Sequence, residues 1–86
     1  MYYEVIWNKI LRCEGETFKT IRELSFTYSA YNDYILINDD KKRRISKDSI
    51  ERALRIDHPS PSKIKGEGIW GPSYVYGIIT DKRIKS

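Results

Sequence analysis

The chain has 86 residues, with 16 Lys+Arg, 12 Asp+Glu, one His, one Cys and a formal charge of +4. That length fits one domain over residues 1–86 and excludes a multidomain enzyme. A single Cys and a single His exclude a disulfide framework and a Cys-based zinc site, and no metal or cofactor is expected. Hydrophobic residues make up 40% and charged residues 33%, a balance that builds a globular core rather than a disordered tail. Apolar runs are too short to span a bilayer. The opening Met-Tyr-Tyr-Glu lacks the basic and apolar blocks of a signal peptide, so a cytoplasmic protein without membrane attachment is expected.

The net charge hides an asymmetry. Residues 1–40 carry four basic and seven acidic side chains, a balance of −3, whereas residues 41–86 carry twelve basic and five acidic, a balance of +7. A basic back half points towards a polyanionic partner.

Residues 3–14 read as a first helix, because Tyr3, Trp7, Ile10 and Leu11 share one helical face. Glu4 near its start and Arg12 near its end suit the helix dipole, and Gly15 stops it. Cys13 reads as a small apolar filler, since no His stands near to activate a thiol. Residues 17–21 predict a short strand. Residues 24–31 alternate, with Leu24, Phe26, Tyr28 and Ala30 on one side, and predict a half-buried strand. After the turn residues Asn32-Asp33, the run Tyr34-Ile35-Leu36-Ile37 predicts a strand covered on both faces. A second turn at Asp39–Lys42 leads to a short edge strand, Arg43–Ile45.

Ser46 then fits a helix N-cap, with Ile45 and Ile50 at the spacing of a hydrophobic staple. Ile50, Ala53 and Leu54 form the apolar face, and the helix must end before Pro59. Residues 58–72, rich in Pro and Gly, predict one long loop. Residues 73–81 read as helix or strand, and the sequence favours helix. Pro72 suits a first turn, and Val75, Ile78 and Ile79 share a face, although Gly77 costs about 1 kcal/mol in a helix interior. The fold expected is α+β: an N-terminal helix, a three- to four-stranded antiparallel meander and two C-terminal helices. Trp7, Leu11, Phe18, Phe26, Leu36, Ile50, Leu54 and Ile78 should fill the core.

Three segments carry a resemblance: Phe26-Thr27-Tyr28; Arg43-Arg44-Ile45-Ser46-Lys47-Asp48-Ser49-Ile50-Glu51-Arg52-Ala53-Leu54; and Gly71 to Ile84, reading GPSYVYGIITDKRI. Together they resemble a small uncharacterised prokaryotic module found as short stand-alone chains and as appendages to larger ones. The resemblance covers most of the chain and implies fold and boundaries, with no activity, cofactor or catalytic residue attached. Sequences of that kind carry helix formers where this chain has Gly77, which implies a helix there.

No catalytic constellation is expected. Asp39-Asp40 reads as a solvated turn beside four basic residues rather than an acid–base pair. His58 lacks a second ligand at useful spacing. Gly66-x-Gly68-x-x-Gly71 matches the letters of a dinucleotide fingerprint but follows no strand and opens no βαβ unit. Two binding hypotheses remain. In the first, the chain is a non-catalytic module for DNA or RNA. Lys41, Lys42, Arg43, Arg44 and Lys47 of the basic turn and edge strand contact phosphates, joined by Arg52 and Arg55 of the adjoining helix. Lys82, Arg83 and Lys85 extend the positive surface, and Tyr31, Tyr34, Trp70 and Tyr76 are candidates for base stacking. In the second, the chain is a protein-interaction or accessory module. Its contact surface is the 58–72 segment with Trp70, Lys63 and Lys65, since an exposed Trp is a typical interface anchor.

Overall fold

A computed structural model describes residues 2–85 of the chain. Helix α1 (Tyr2–Arg12) buries Ile6, Trp7 and Ile10, so the predicted face is right at its centre, while Leu11 is only half-buried. Two buried polar groups fasten α1 to the sheet region. Trp7 Nε1 donates to Asn32 O at 3.0 Å, and Tyr28 Oη donates to Ile10 O at 2.5 Å.

Strands β1 (Phe18–Lys19) and β2 (Ser25–Phe26) pair as an antiparallel hairpin with Phe18 opposite Phe26. The strand expected over 17–21 stops early because the chain turns at Thr20. Its backbone N donates to Leu24 O at 3.0 Å, and its hydroxyl accepts from Leu24 N at 3.2 Å. Leu24 therefore sits at the end of a turn instead of on the buried side of a strand, and 66% of it is exposed.

The strand expected over 24–31 is broken at Thr27. Thr27 N donates to Asn38 Oδ1 at 3.1 Å and Thr27 O accepts from Asn38 N at 2.8 Å, which takes this residue out of both ladders. Beyond the break, β3 (Tyr28–Ala30), β4 (Tyr34–Ile37) and β5 (Arg44–Ser46) form an antiparallel meander in that order. The expected strands thus divide into two sheets, of two and three strands. The register sets Ile35 opposite Ala30 and Ile45, and these side chains face the core. Leu36, one residue on, lies between Ser29 and Arg44 on the other face, as strand alternation requires.

Helix α2 (Lys47–Leu54) starts as the sequence predicts. Ser46 has extended backbone and its Oγ accepts from Ser49 N at 3.1 Å, while Ile45 and Ile50 are both buried. The helix stops at Leu54, well before Pro59. The long loop expected over 58–72 is not one loop: α3 (Pro61–Gly66) lies inside it. Ser60 caps α3 by accepting from Lys63 N at 3.2 Å, Pro61 occupies the first turn, and Ile64 anchors the helix in the core with no exposed surface. Ile69, in the turn beyond, is also buried.

Helix α4 (Pro72–Ile79) settles the ambiguity over 73–81, and α5 (Lys82–Lys85) follows it with Ile84 buried. The C-terminal half therefore carries short helices α2 to α5 where two were expected. Helix α4 is central to the packing, touching α2, α3, α5 and β1. Gly77 lets it approach β1: a Cβ there would lie 2.5 Å from Lys19 O.

The fold is a small α+β domain whose core is rich in isoleucine. Of the expected core residues, Trp7, Phe18, Phe26, Leu36, Ile50 and Ile78 are buried, and Leu11 and Leu54 pack partly buried against the rest. Phe18 and Phe26 stack at 6.0 Å, and Phe26 meets Tyr74 edge to face at 5.1 Å, which ties the β1–β2 hairpin to α4.

Candidate functional site

A groove of about 540 Å³ lies between the β1–β2 turn and the start of α4. One wall comes from Thr20, Ile21, Arg22 and Leu24, and the other from Trp70 to Tyr74, with Pro61 of α3 at its edge. Ile21, Leu24 and Trp70 are 58%, 66% and 49% exposed. Three large apolar side chains left in water therefore converge on one surface. Large side chains exposed singly are ordinary, whereas a contiguous patch marks a contact surface.

Local structure explains why these side chains stay outside. Glu23 has a positive φ of 66°, which closes the turn tightly and throws Ile21 and Leu24 outward from its two ends. On the far wall, Gly71 has φ 68° and precedes Pro72 at the first turn of α4. That left-handed residue directs Trp70 away from the core while Ile69 points in. Trp70 lies against Tyr74 at 6.2 Å with planes 25° apart, and Tyr74 Oη accepts from Arg43 at 3.1 Å. Arg22 is the only charged side chain lining the groove, and it makes no ion pair or hydrogen bond among the described residues.

Several of the basic residues singled out in the sequence are engaged within the chain. Arg43 turns towards Tyr74 and Asp40, whose Oδ2 is 3.6 Å from Arg43 Nε. Arg44, its neighbour, points the opposite way and stacks over Tyr34 at 3.9 Å. Lys47 donates to Glu4 Oε1 at 2.8 Å, and that hydrogen bond raises its pKa above the ordinary lysine value. Arg52 donates to Glu67 O and lies 3.8 Å from Asp48, while Arg55 stands 5.4 Å above the Tyr3 ring. Arg83 is held by Asp81 and by Thr17 O, and its hydrogen bond keeps Asp81 below the usual carboxylate range. Lys41 and Lys42 project from the β4–β5 turn. Most of these cations thus answer a partner within the chain.

One grouping does emerge on the β3–β5 sheet. Tyr31 and Tyr34 stack at 4.8 Å, nearly parallel at 14°, and the Arg44 guanidinium also lies over the Tyr34 ring at 3.9 Å. Tyr31 is 44% exposed. Of the residues proposed from the 58–72 segment, Trp70 lines the groove and Lys63 and Lys65 do not. Lys63 Nζ instead folds back onto Asp57 O and His58 O, at 3.2 and 3.0 Å.

Sequence reasoning missed Ile21, Arg22, Leu24 and Tyr74 as surface residues. A signal was present: two large aliphatics flank Arg22-Glu23 within four residues, a spacing more natural to a turn than to a strand. Among the described residues no group of His, Cys, Asp and Glu is arranged to hold a metal, and no helix is long and apolar enough to cross a membrane. No family model matches the chain, and neither does any curated protein or solved structure.

Proposed function

We propose that the chain is a protein-interaction module whose contact surface is the Trp70 groove. The observation that supports this most is the convergence of Ile21, Leu24 and Trp70, each about half exposed or more, on one groove. An open groove of this kind suits a protein segment better than a small molecule, because small-molecule sites enclose most of their ligand. Trp70 has the geometry of an interface anchor: aromatic, backed by Tyr74 and held on a short turn between two helices. No chemical step is assigned to this surface. The test is panning of a phage-displayed random dodecapeptide library on the immobilised chain and on Trp70→Ala. Clones that bind the parent and lose the variant, with unchanged circular dichroism, support the reading. Clones that bind both equally reject it.

A second reading rests on the Tyr31–Tyr34–Arg44 stack. A tyrosine face and the Arg44 guanidinium are chemistry suited to an unpaired base and its phosphate, and Lys41 and Lys42, in the turn at the other end of β4, suit phosphates further along the strand. It narrows the nucleic-acid hypothesis to the sheet, without Lys47, Arg52 or Arg55. A labelled oligo-dT titrated with salt tests it. About three phosphate contacts give a slope of log K against log salt near −2, and Tyr31→Ala weakens binding. An affinity that hardly moves with salt rejects this reading.

A further inference from the structure

Resting on the groove as a binding surface, we infer that its partner is an extended protein segment. That segment sets an apolar side chain on Trp70 and a carboxylate against Arg22. The groove is apolar along both walls, and Arg22 is its only charged lining residue. Its guanidinium has no partner among the described residues, in contrast to Arg43, Arg52 and Arg83, each of which is engaged within the chain. The nearest carboxylate in sequence, Glu23, is exposed and does not line the groove.

The opposite wall adds a second donor. Tyr74 Oη already accepts from Arg43, so its own proton is directed elsewhere, and Tyr74 lines the groove. Asp40, the carboxylate nearest Arg43, is occupied by that arginine. No acidic side chain therefore competes for these donors from within the groove, and a basic segment would meet Arg22 as a like charge. An acidic residue next to an apolar one satisfies both the charge and the exposed Trp, Ile and Leu surface. Arg is also the side chain best shaped to hold a carboxylate with two hydrogen bonds.

The experiment pans the dodecapeptide library in parallel on the parent chain, Arg22→Glu and Trp70→Ala. Parent-selected clones are expected to pair an apolar residue with Asp or Glu. In synthetic peptides from those clones, changing that acid to its amide should raise Kd by about fivefold, the upper range for an exposed ion pair. Arg22→Glu is expected to select Lys or Arg in its place. Clones without acidic bias, bound equally by Arg22→Glu and lost only on Trp70→Ala, overturn the carboxylate contact and leave the groove reading standing. Clones bound equally by Trp70→Ala overturn both. Leu24→Ser, at an exposed turn position, replaces Trp70→Ala if that variant loses its circular dichroism signal. A chain that selects no peptide but binds phosphatidylserine-containing vesicles through Trp70 also overturns the proposal, in favour of a lipid surface.

Discussion

Gly77→Ala is expected to destabilise the domain, against helix propensity. In an ordinary helix interior this change gains about 1 kcal/mol. Here the added Cβ would lie 2.5 Å from Lys19 O, 3.2 Å from the carbonyl carbon of Lys19 and 3.4 Å from Phe26 Cε1. An ordinary C···O contact is about 3.3 Å, so α4 and β1 must separate by about 0.8 Å. The obstacle is backbone, in a strand held by its pairing with β2, and no flexible side chain can yield. Overpacking costs about 1–3 kcal/mol, and a backbone obstacle belongs at the upper end. Subtracting the propensity gain leaves a loss of about 2 kcal/mol. For a domain of this size that is a drop of about 8–16 °C in Tm. Urea unfolding followed by tryptophan fluorescence, with a thermal melt by circular dichroism, measures both. A variant at or above the parent's midpoint refutes the close packing of α4 on β1. The same packing fixes the wall that carries Ser73 and Tyr74 in the groove.

Other expectations follow from single contacts. Ser46→Ala removes the hydroxyl that accepts from Ser49 N and should cost about 1 kcal/mol in urea unfolding, with Ser46→Asp close to parental. Tyr28→Phe removes one of two donors to Ile10 O, which keeps the hydrogen bond from Cys13 N at 3.2 Å, and should cost about 1 kcal/mol. The Tyr28 phenol is pushed well above the ordinary tyrosine value, chiefly by burial. The folded state therefore keeps this proton while the unfolded chain releases it above about pH 10. Stability from this group is full below that pH and declines as pH rises further, by up to about 1.4 kcal/mol per pH unit. The parent should lose stability more steeply than Tyr28→Phe between about pH 10 and 11, and equal slopes in chemical denaturation would refute the assignment. Asp81 is depressed by its hydrogen bond from Arg83. Its contribution is present above the ordinary Asp range and is lost as pH falls through its folded value, so Asp81→Asn should flatten the acid limb of the stability profile.

Local signals in the sequence translated directly where one residue decides the structure. Ser46 between Ile45 and Ile50 predicted both the start of α2 and its burial, because a cap and a staple are local chemistry. Pro72 and the spacing of Val75, Ile78 and Ile79 similarly predicted α4. The break at Thr27 was not legible, because it depends on Asn38, eleven residues away. Helix α3 was obscured by the Pro and Gly around it, although Ser60-Pro61 is an N-cap followed by a first-turn proline. The position of Gly77 was read as a cost to the helix. Its reason lies in β1, more than fifty residues earlier, and nothing local announces it. The candidate site was half legible. Trp70 stood out as an exposed anchor, but its partners Ile21 and Leu24 read as strand residues until the turn at Thr20 turned them outward. The basic run was plain in the sequence, whereas the partners that Arg43, Arg44 and Lys47 take depend on strand alternation and on groups from distant elements.

The central claim is that residues 20–24 and 70–74 together form the partner-binding surface. Backbone amide chemical-shift mapping tests it most directly, with the tightest-binding selected dodecapeptide titrated into the isotopically labelled chain. Shift changes should concentrate on residues 20–24 and on Trp70, Gly71, Ser73 and Tyr74, and should vanish with Trp70→Ala. Changes centred on Tyr31, Tyr34 and Arg44, or spread evenly over the chain, would contradict the account.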